Sequence, residues 1–406
     1  MKFSSSWMNA GVEKAFESLR SKVSAPVAIE LWDGRVFPLG PEPRVRMKFH
    51  KAAALKHLLN PTLGALAEAY VEGDMDVEGS MHDVIASLDQ IASRAGAGAW
   101  ERVAHAAGRH TRRVDRDAIQ RHYDVSNDFY KLWLDRRMIY SCAYFRDGSE
   151  DIDVAQEQKL DHICRKLRLA PGEKFLDIGC GWGGLVIHAA SKYGVDATGI
   201  TLSESQHALA RQRIREQGLE GKCRVELVDY RDVDGEGIFD KIASIGMFEH
   251  VGLRNLPVYF NSVKRLLRER GLFLNHGITS SDIDNREVGS DTGGFIDKYV
   301  FPHGELPHVS LAIREMSAQH FEVVDIESLR MHYARTLALW SGALESKLDA
   351  AAKLVDDRIL RVWRVYLMGC SYGFQQGWMN IYQMLASKQA EPGKNDLPWT
   401  RDYMYR

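Results

Sequence analysis

Short apolar segments alternate with helical stretches from Pro171 onward. Helical stretches at 184–192 and 203–217 separate consecutive segments, and Ser203 and Gly218 are suited to begin and end the second helix. This alternation is typical of a parallel sheet covered by helices on both faces. The predicted strands are 174–178, 195–200, 224–228, 240–245, 271–276 and 321–326. Such sheets bind ligands beyond the carboxyl ends of their strands, so we expect functional residues in those loops.

The most specific single motif runs from Phe175 to Gly184 and reads FLDIGCGWGG. Its glycines let the backbone approach a ligand closely and adopt positive φ angles. Gly179, Gly181 and Gly184 also fit the GxGxxG pattern of dinucleotide-binding folds, and a purely structural turn is a third alternative. However, Asp177 precedes the glycines, and no acid follows the second strand to hold a nicotinamide ribose. The motif instead resembles the first motif of class I methyltransferases, which cradles the methionine part of S-adenosylmethionine.

The loops after the second and third predicted strands offer groups for the rest of that cofactor. Thr201 and Gln206 carry hydroxyl and amide groups that can hydrogen bond a neutral ribose. Asp229 and Tyr230 follow the third strand, where they would meet the adenine. A tyrosine ring can stack on a purine, although an exposed tyrosine is equally ordinary.

Four further blocks carry a family resemblance. They read HYDVSNDFY at 122–130, YSCAYF at 140–145, GMFEHVG at 246–252 and KYVFP at 298–302. Together, and in this order, they resemble cyclopropane fatty acid synthases over about residues 118–390. The resemblance implies an α/β class I methyltransferase fold, a Rossmann-like, doubly wound and mostly parallel sheet. It also implies an enzyme that methylates a cis double bond of a phospholipid acyl chain and closes a cyclopropane ring.

The resemblance assigns roles to individual residues. It implies that a bound bicarbonate ion removes the proton that closes the ring, and that Tyr140 and Ser141 contact S-adenosylmethionine. The residues that would hold the bicarbonate are Cys142, Glu249, His276, Ile278 and Tyr333, with the cysteine and isoleucine contributing backbone groups. Glu249 and His276 follow or end predicted strands, so we expect both at the ligand-binding edge. A salt-bridged surface acid and a hydrogen-bonded core histidine are the ordinary alternatives.

The chemistry also favours aromatic side chains around the substrate. Methyl transfer to an alkene leaves a carbocation, so the site must be dry and must tolerate positive charge. Aromatic rings can face a cation without reacting with it. The candidate rings are Tyr140, Tyr144, Phe145, Phe248, Tyr299 and Phe301, many of which are expected to be core residues.

The five cysteines are widely spaced and include no CxxC pair, so they indicate neither a metal site nor a disulfide framework. Cys370 matches a cysteine that the resemblance makes a catalytic candidate. A reactive thiolate needs a positive neighbour or a helix N-terminus, and this context instead reads as an apolar helix. We therefore expect Cys370 to pack near the site.

The N-terminal part is predicted as a smaller α+β domain, residues 1–117, preceding a catalytic domain at 118–406. A hairpin is predicted from strands 27–32 and 35–39 around Asp33-Gly34, followed by an amphipathic helix at 81–93 and a linker or mobile helix at 95–116. Two basic clusters suit contact with anionic headgroups, although a solvated helix face is an equal alternative. The clusters are Arg35, Arg44, Arg46, Lys48, Lys51 and Lys56, then Arg102, Arg109, Arg112, Arg113 and Arg116.

Charge and composition limit the class of partner. The net charge of −2 gives no general attraction to nucleic acid, and no apolar run reaches the roughly 18–20 residues of a membrane span. The polar start lacks a signal-peptide core. We expect a cytoplasmic protein, peripherally associated with the inner face of the membrane, whose partner is an unsaturated phospholipid in a bilayer. The family resemblance also makes a homodimer plausible.

Three rival functions remain. The same methyl transfer can end in a methylene- or methyl-branched acyl chain, and the residues named above do not exclude that ending. Small-molecule N-methyltransferases share the fold and the Phe-Glu-His run, but need no base for a carbocation. A non-catalytic lipid-binding relative would be signalled by loss of the glycine turn or of Glu249, and both are intact.

Overall fold

The computed structural model describes residues 13–14, 16–59, 61–95, 125–284, 292–300, 305–390 and 397–405. These residues divide into two compact units. The N-terminal unit contains the residues up to 95 together with 292–300 and 355–372, and the large unit contains the remainder. The domain boundary predicted at 117/118 lies outside the described residues and stays a prediction. It did not anticipate the two later segments of the N-terminal unit.

The N-terminal unit is built on a four-stranded sheet. Its strands are β1 Val27–Glu30, β2 Val36–Pro38, β3 Val45–Phe49 and β4 Met75–Glu78, in the order β2-β1-β3-β4. The pair β1–β2 is antiparallel across the Asp33-Gly34 turn, so the predicted hairpin is confirmed. In β3 the residues alternate between buried and exposed, as expected for a strand with one face on the core. The helices are Lys56–Leu59, Leu63–Val71, Met81–Ala95, Thr292–Tyr299 and the first part of Asp357–Gln376.

Polar contacts explain why the two later segments belong to the N-terminal unit. The Tyr299 hydroxyl donates to Glu72 at 2.7 Å, and Arg358 pairs with the same carboxylate at 2.9 Å. Arg361 pairs with Asp76 at 2.7 Å. The acids come from the N-terminal sequence and their partners from the later segments, so charge complementarity joins pieces that are far apart in the chain.

The large unit contains a seven-stranded sheet. Its strands are β5 Lys174–Ile178, β6 Asp196–Thr201, β7 Cys223–Leu227, β8 Phe239–Ile245, β9 Leu267–Ser280, β10 Phe321–Ser328 and β11 Met379–Lys388. The strand order is β10-β11-β9-β8-β5-β6-β7. Strands β5 to β9 pair in parallel, and β11 runs antiparallel to both of its neighbours. The predicted mostly parallel α/β fold is confirmed.

Helices and two hydrophobic clusters cover the two faces of this sheet. The adjacent residues Phe175 and Leu176 belong to different clusters, because side chains alternate between faces along a strand. The helices are Asn127–Tyr130, Ile152–Lys166, Gly184–His188, Glu204–Glu216, Leu256–Leu266, Val309–Ala318, Arg330–Glu345 and Leu348–Ala351. Among the helices that the structure describes, none combines the length and apolar character that crossing a bilayer requires.

Candidate active site

A cavity opens at the carboxyl ends of β5, β6 and β8 in the large unit. Every residue predicted to contact S-adenosylmethionine lines it. These residues are Tyr140, Ser141, Asp177, Gly179, Gly181, Thr201, Gln206, Asp229 and Tyr230. Their contact with the cofactor itself stays a prediction, but the sheet brings all nine to one place.

Asp177 and the glycine turn form one wall of the cavity. Asp177 is 2% exposed, and its Oδ1 has no hydrogen-bond partner among the described residues. Burial raises the pKa of Asp177 to about 7, against the opposing charge of Lys159. Gly181 has a φ of +55°, and no atom lies within 4 Å of the position that a Cβ would take. A buried carboxyl oxygen lacking a donor, beside open space over a glycine, fits the ammonium group of the methionine part of S-adenosylmethionine.

The loops after β6 and β7 have defined hydrogen bonds. The Thr201 hydroxyl donates to Gln206 Oε1 at 2.8 Å, so the Gln206 NH₂ group keeps its donors for a ligand. Asp229 is held by both arms of the Arg231 guanidinium, at 2.9 and 2.6 Å. The Arg231 guanidinium also lies 5.5 Å from the centre of the Tyr230 ring. These contacts fix the side chains on which a ribose and an adenine would rest.

Lys159 is a cavity residue that the sequence did not predict. It is 2% exposed, and its Nζ donates to Ser141 Oγ at 2.9 Å. Burial lowers the pKa of Lys159 to about 8, although the nearby Asp135 carboxylate favours its charged form. Gln156, one turn earlier in the helix, donates to the Ser141 carbonyl at 2.9 Å. The helix Ile152–Lys166 therefore holds the loop that carries two predicted cofactor residues.

An aromatic cluster adjoins the cavity around Tyr140. The Tyr140 ring centre lies 5.8 Å from Tyr130, 5.6 Å from Trp133 and 5.5 Å from Trp340. Those three partners are 1% exposed or less. Tyr140 was predicted from the sequence, but its three ring partners were not. Tyr130 and Trp133 lie shortly before it in the chain, and Trp340 lies on the helix Arg330–Glu345. The cluster forms a dry wall that a positive charge can approach.

Tyr144, Phe145 and Phe248, the other predicted rings described in the large unit, do not line the cavity. Tyr144 stacks between His162 and His332, at 4.3 and 4.9 Å between ring centres. Phe248 belongs to a hydrophobic cluster of the large unit. Tyr299 belongs to the N-terminal unit, and Phe301 lies outside the described residues. The Phe145 ring has the Arg335 guanidinium 5.4 Å from its centre.

Glu249 lies directly after β8 and binds the backbone of β9. Its Oε1 accepts the Ile278 N–H at 2.7 Å, whereas its buried Oε2 has no hydrogen-bond partner in the described part of the chain. Burial raises the pKa of Glu249 to about 7, although the backbone hydrogen bonds favour the carboxylate. The Ile278 N–H that the resemblance assigns to bicarbonate therefore already has a partner, and an anion there must share or displace that carboxylate.

His276 lies on β9 and is completely buried. Burial, together with the charges of Lys159 and Lys166, lowers the pKa of His276 well below its usual range, so the imidazole is neutral. Its Nδ1 lies 3.3 Å from Gln383 Nε2. Its Nε2 has no hydrogen-bond partner within the described segments. The sequence alternative of a hydrogen-bonded core histidine describes the Nδ1 side of the ring, whereas the Nε2 side is left for a ligand.

Cys142 and Tyr333 both contact the carbonyl of Leu329, which precedes the helix Arg330–Glu345: the Cys142 thiol lies 3.9 Å from it, and the Tyr333 N–H donates to it at 3.0 Å. The buried Cys142 thiol donates to the Ala143 carbonyl at 3.2 Å, and burial raises its pKa far above the usual range. The Leu329 N–H donates to Ile381 of β11, and Tyr333 follows one turn later. Ile381 pairs with Ile278 of β9 in register. Adjacent elements thus connect all five residues predicted to hold bicarbonate, although none of the five lines the cofactor cavity.

Cys370 belongs to a different unit from the other predicted catalytic residues. It lies on the helix Asp357–Gln376, in the part that belongs to the N-terminal unit. Burial alone raises the pKa of its thiol to about 12, so it is protonated at neutral pH. A nucleophilic role, doubted from the sequence, gains no support from this environment.

Comparisons with known proteins agree with the fold and the cavity. Residues 110–384 match the family model described as mycolic acid cyclopropane synthetase, and residues 15–95 match a domain of unknown function. The chain is 47% identical over 399 residues to a probable fatty acid methyltransferase of Pseudomonas putida, across 98% of this chain and 100% of the relative.

Two further relatives are named for cyclopropane synthesis. The chain is 39% identical over 272 residues to the cyclopropane-fatty-acyl-phospholipid synthase of Escherichia coli (strain K12), across 67% of this chain and 68% of the relative. A crystal structure of mycolic acid cyclopropane synthase CmaA1 complexed with SAH and CTAB matches with a TM-score of 0.63 and 35% identity, over 67% of this chain and 98% of that one. The protein therefore belongs to the mycolic acid cyclopropane synthetase family and is a class I S-adenosylmethionine-dependent methyltransferase.

Proposed function

We propose that this protein transfers the methyl group of S-adenosylmethionine to a cis double bond of a phospholipid acyl chain and closes a cyclopropane ring. The observation that carries this proposal is a pair of buried polar atoms, Glu249 Oε2 and His276 Nε2, that lack hydrogen-bond partners among the described residues. Buried polar atoms without partners are costly unless a ligand satisfies them. Ring closure needs a base beside the methylated carbon, whereas methylation of an amine leaves no carbocation to deprotonate.

The residues around the cofactor cavity bind and orient the two substrates. When bound, S-adenosylmethionine supplies an electrophilic methyl group. Asp177 would hold its ammonium group, and Thr201 and Gln206 would hold its ribose. The Tyr140 cluster excludes water, which would otherwise capture the carbocation, and its rings tolerate the positive charge.

A bicarbonate ion held beside this cavity would supply the base. Glu249, His276 and Tyr333 would bind it through side chains, and Cys142 and Ile278 through backbone groups. A neutral imidazole donates one N–H to an anion, and a glutamic acid with a pKa near 7 can donate as well. The set thus offers hydrogen-bond donors without a second fixed negative charge.

A methyl-branched or methylene-branched acyl chain is the second candidate product. The relative with 47% identity is named a probable fatty acid methyltransferase, a name that does not specify a ring. Both products require the same methyl transfer and the same dry site. The cyclopropane and methylene products differ in which proton the base removes and in whether a hydride shift comes first, and the methyl branch also requires a hydride donor that reduces the methylene group.

Contact with a membrane surface is part of the proposal, since the acyl chain lies in a bilayer. In the first basic cluster, Arg46 and Lys48 both pair with Glu30, at 3.2 and 3.5 Å, and Lys51 pairs with Asp74 at 2.5 Å. Ion pairs of this kind reduce the charge available to headgroups. The second cluster lies outside the described residues, and the homodimer also stays a prediction.

Product analysis tests the proposal. The protein would be incubated with S-adenosylmethionine, bicarbonate and vesicles of cis-monounsaturated phospholipid, and the fatty acids analysed by mass spectrometry and NMR. We expect a gain of one CH₂ with upfield cyclopropane protons. We expect this gain to fall at least about 100-fold in Glu249→Gln and His276→Ala, the size typical of lost acid–base assistance. Glu226→Gln, which changes an exposed carboxylate of β7, is the matched control and should retain activity. No gain on any lipid would refute the proposal.

A further inference from the structure

Three polar side chains lie side by side across the edge of the large sheet. Glu327 of β10 pairs in register with Gln383 of β11, and Gln383 pairs in register with His276 of β9. Residues directly opposite one another in neighbouring strands point to the same face. Gln383 and His276 are both completely buried. The three residues therefore form a polar row on one face of the sheet, completely buried at His276 and Gln383 and half-buried at Glu327.

The outer end of this row is fixed by charge. Glu327 Oε2 lies 2.7 Å from His162 Nε2 and 2.5 Å from Lys166 Nζ, and both partners come from the helix Ile152–Lys166. Burial raises the pKa of Glu327, but the His162 hydrogen bond and the Lys166 charge outweigh it and lower the pKa to about 2. Glu327 is thus an ionised anchor, and Gln383 occupies the position between this anchor and His276.

The inner end of the row is the contact between Gln383 and His276. The amide Nε2 of Gln383 lies 3.3 Å from His276 Nδ1. In this orientation of the Gln383 amide the NH₂ group faces Nδ1 and donates to it, so a neutral imidazole carries its proton on Nε2. That Nε2 is the buried atom without a hydrogen-bond partner among the described residues. Burial and the charges of Lys159 and Lys166 lower the pKa of His276 and outweigh the opposing charge of Glu327, so the imidazole is neutral and its tautomer decides what it presents.

We propose that Gln383 is a positioning residue that holds His276 in its Nε2–H tautomer, so that His276 presents a hydrogen-bond donor to the anion that acts as base. The proposal rests on the proposed role of His276 in binding that anion. With the opposite tautomer, Nε2 would present a lone pair, which repels an anion. Neither the family blocks nor the glycine turn includes Gln383, which lies in a part of the sequence where no strand was predicted.

The ring nitrogens of His276 report the tautomer directly. Long-range ¹H–¹⁵N NMR of the histidine-labelled full chain distinguishes Nε2–H from Nδ1–H, and loss of one signal set in His276→Gln assigns it among the 15 histidines. We expect Nε2–H in the parent. We expect Gln383→Glu to shift the proton to Nδ1, because a carboxylate only accepts, and Gln383→Met to give a mixture. Asn380→Asp makes the same chemical change on β11 at a side chain that binds Ser328, and should leave His276 unchanged.

Kinetics supply the second readout. We expect Gln383→Met to lower kcat by about 10–100-fold, the size seen when a group that orients an imidazole is removed, with little change in KM for S-adenosylmethionine. An Nδ1–H tautomer in the parent, or an unchanged tautomer in Gln383→Glu, would overturn the proposal. The NMR measurement uses no lipid. A confirmed tautomer in a protein that makes no cyclopropane would therefore refute the proposed function and keep the role of Gln383 in fixing the tautomer.

Discussion

Several buried side chains in the candidate site have pKa values far from their usual range. Asp177 and Glu249 both have their pKa values raised to about 7 by burial, and Lys159 has its pKa lowered to about 8. Perturbed pKa values of this kind concentrate at functional sites, where charge is left unpaired until a ligand arrives. Their titration near neutral pH gives two predictions about individual residues.

Replacing Glu249 with glutamine should stabilise the protein without ligands at alkaline pH. The folded-state pKa of about 7 exceeds the unfolded value of 4.5, so burial favours the protonated acid. The stability that the protonated Glu249 contributes to the folded state is fully present below pH 4.5 and is lost as the pH rises through 7. We expect equal free energies of unfolding for parent and Glu249→Gln at pH 4.5, and a variant more stable by about 1–3 kcal/mol at pH 8. Urea titrations at both pH values measure this difference, and a gap independent of pH would contradict the assignment.

Binding of S-adenosylmethionine should tighten as the pH rises from 5.5 to 7.5. The ionised form of Asp177 attracts the ammonium group, and the pKa of about 7 means that this form is scarce at the lower pH. Below the pKa, each pH unit should change the dissociation constant by up to about tenfold. Calorimetric titration of the parent and of Asp177→Asn tests this, and the variant should bind weakly with little pH dependence. An affinity of the parent that stays constant over this range would exclude the assigned role.

At the scale of elements, the turn after β5 connects backbone conformation to cofactor binding. Gly179 has a φ of +82°, and a Cβ there would lie 2.8 Å from Met247 Cβ. Gly181 also has a positive φ, but a Cβ there would project into open space. Gly179 is thus required because a side chain would overlap Met247. Gly181 is required because a side chain would project into the cavity.

Replacing each of these two glycines with alanine should have different effects, mainly on stability at Gly179 and mainly on S-adenosylmethionine binding at Gly181. We expect Gly179→Ala to lower the free energy of unfolding by about 2–4 kcal/mol, through left-handed strain plus overlap. Gly181→Ala should lose only about 1–2 kcal/mol but should weaken S-adenosylmethionine binding. Gly172→Ala is the matched control, with a φ of +83°, open space around the added methyl and no place in the cavity lining. Equal affinities for Gly172→Ala and Gly181→Ala would refute the role of the turn.

The sequence predicted most of the large sheet because its central strands are buried on both faces and form short apolar runs. The predicted strand 271–276 is β9 Leu267–Ser280 in the structure, since the strand begins four residues earlier and continues through the buried polar residues Thr279 and Ser280. Strand β11 was missed. Its ten residues include Asn380, Gln383 and Lys388, which interrupt the apolar pattern, and Gln383 is buried only because of tertiary context.

The sequence predicted nine of the residues that line the cofactor cavity but missed two buried polar side chains of the candidate site, Lys159 and Gln383. Seven of the nine cofactor residues end or follow strands, so fold topology places them at one edge, whereas Tyr140 and Ser141 precede the sheet and were predicted from the family resemblance. All nine line the cavity. Lys159 and Gln383 were missed because a lysine in an amphipathic helix or a glutamine in a strand usually faces solvent. Gln156, Lys159 and Lys166 recur at helical spacing on the helix Ile152–Lys166. That spacing alone does not reveal which face is buried.

At the scale of the whole molecule, membrane binding should depend on the second basic cluster more than on the first. Arg46 and Lys48 already pair with Glu30, so Arg46→Glu with Lys48→Glu should mainly reduce stability. Arg112→Glu with Arg113→Glu should weaken binding to anionic vesicles by about 30-fold, at about 1 kcal/mol for each basic residue. Vesicle sedimentation at fixed ionic strength measures both variants. A larger loss from the first pair would contradict this ranking.

The fate of a deuterated methyl group shows whether methyl transfer is followed by ring closure. The protein would be given S-adenosylmethionine with a CD₃ methyl group and cis-monounsaturated phospholipid vesicles, and the product fatty acids examined by deuterium NMR and mass spectrometry. We expect a cyclopropane whose ring CD₂ keeps two of the three deuterium atoms, because the base removes the third. Deuterium in an exocyclic methylene or a methyl branch, or no deuterium in the acyl chain, would contradict this expectation.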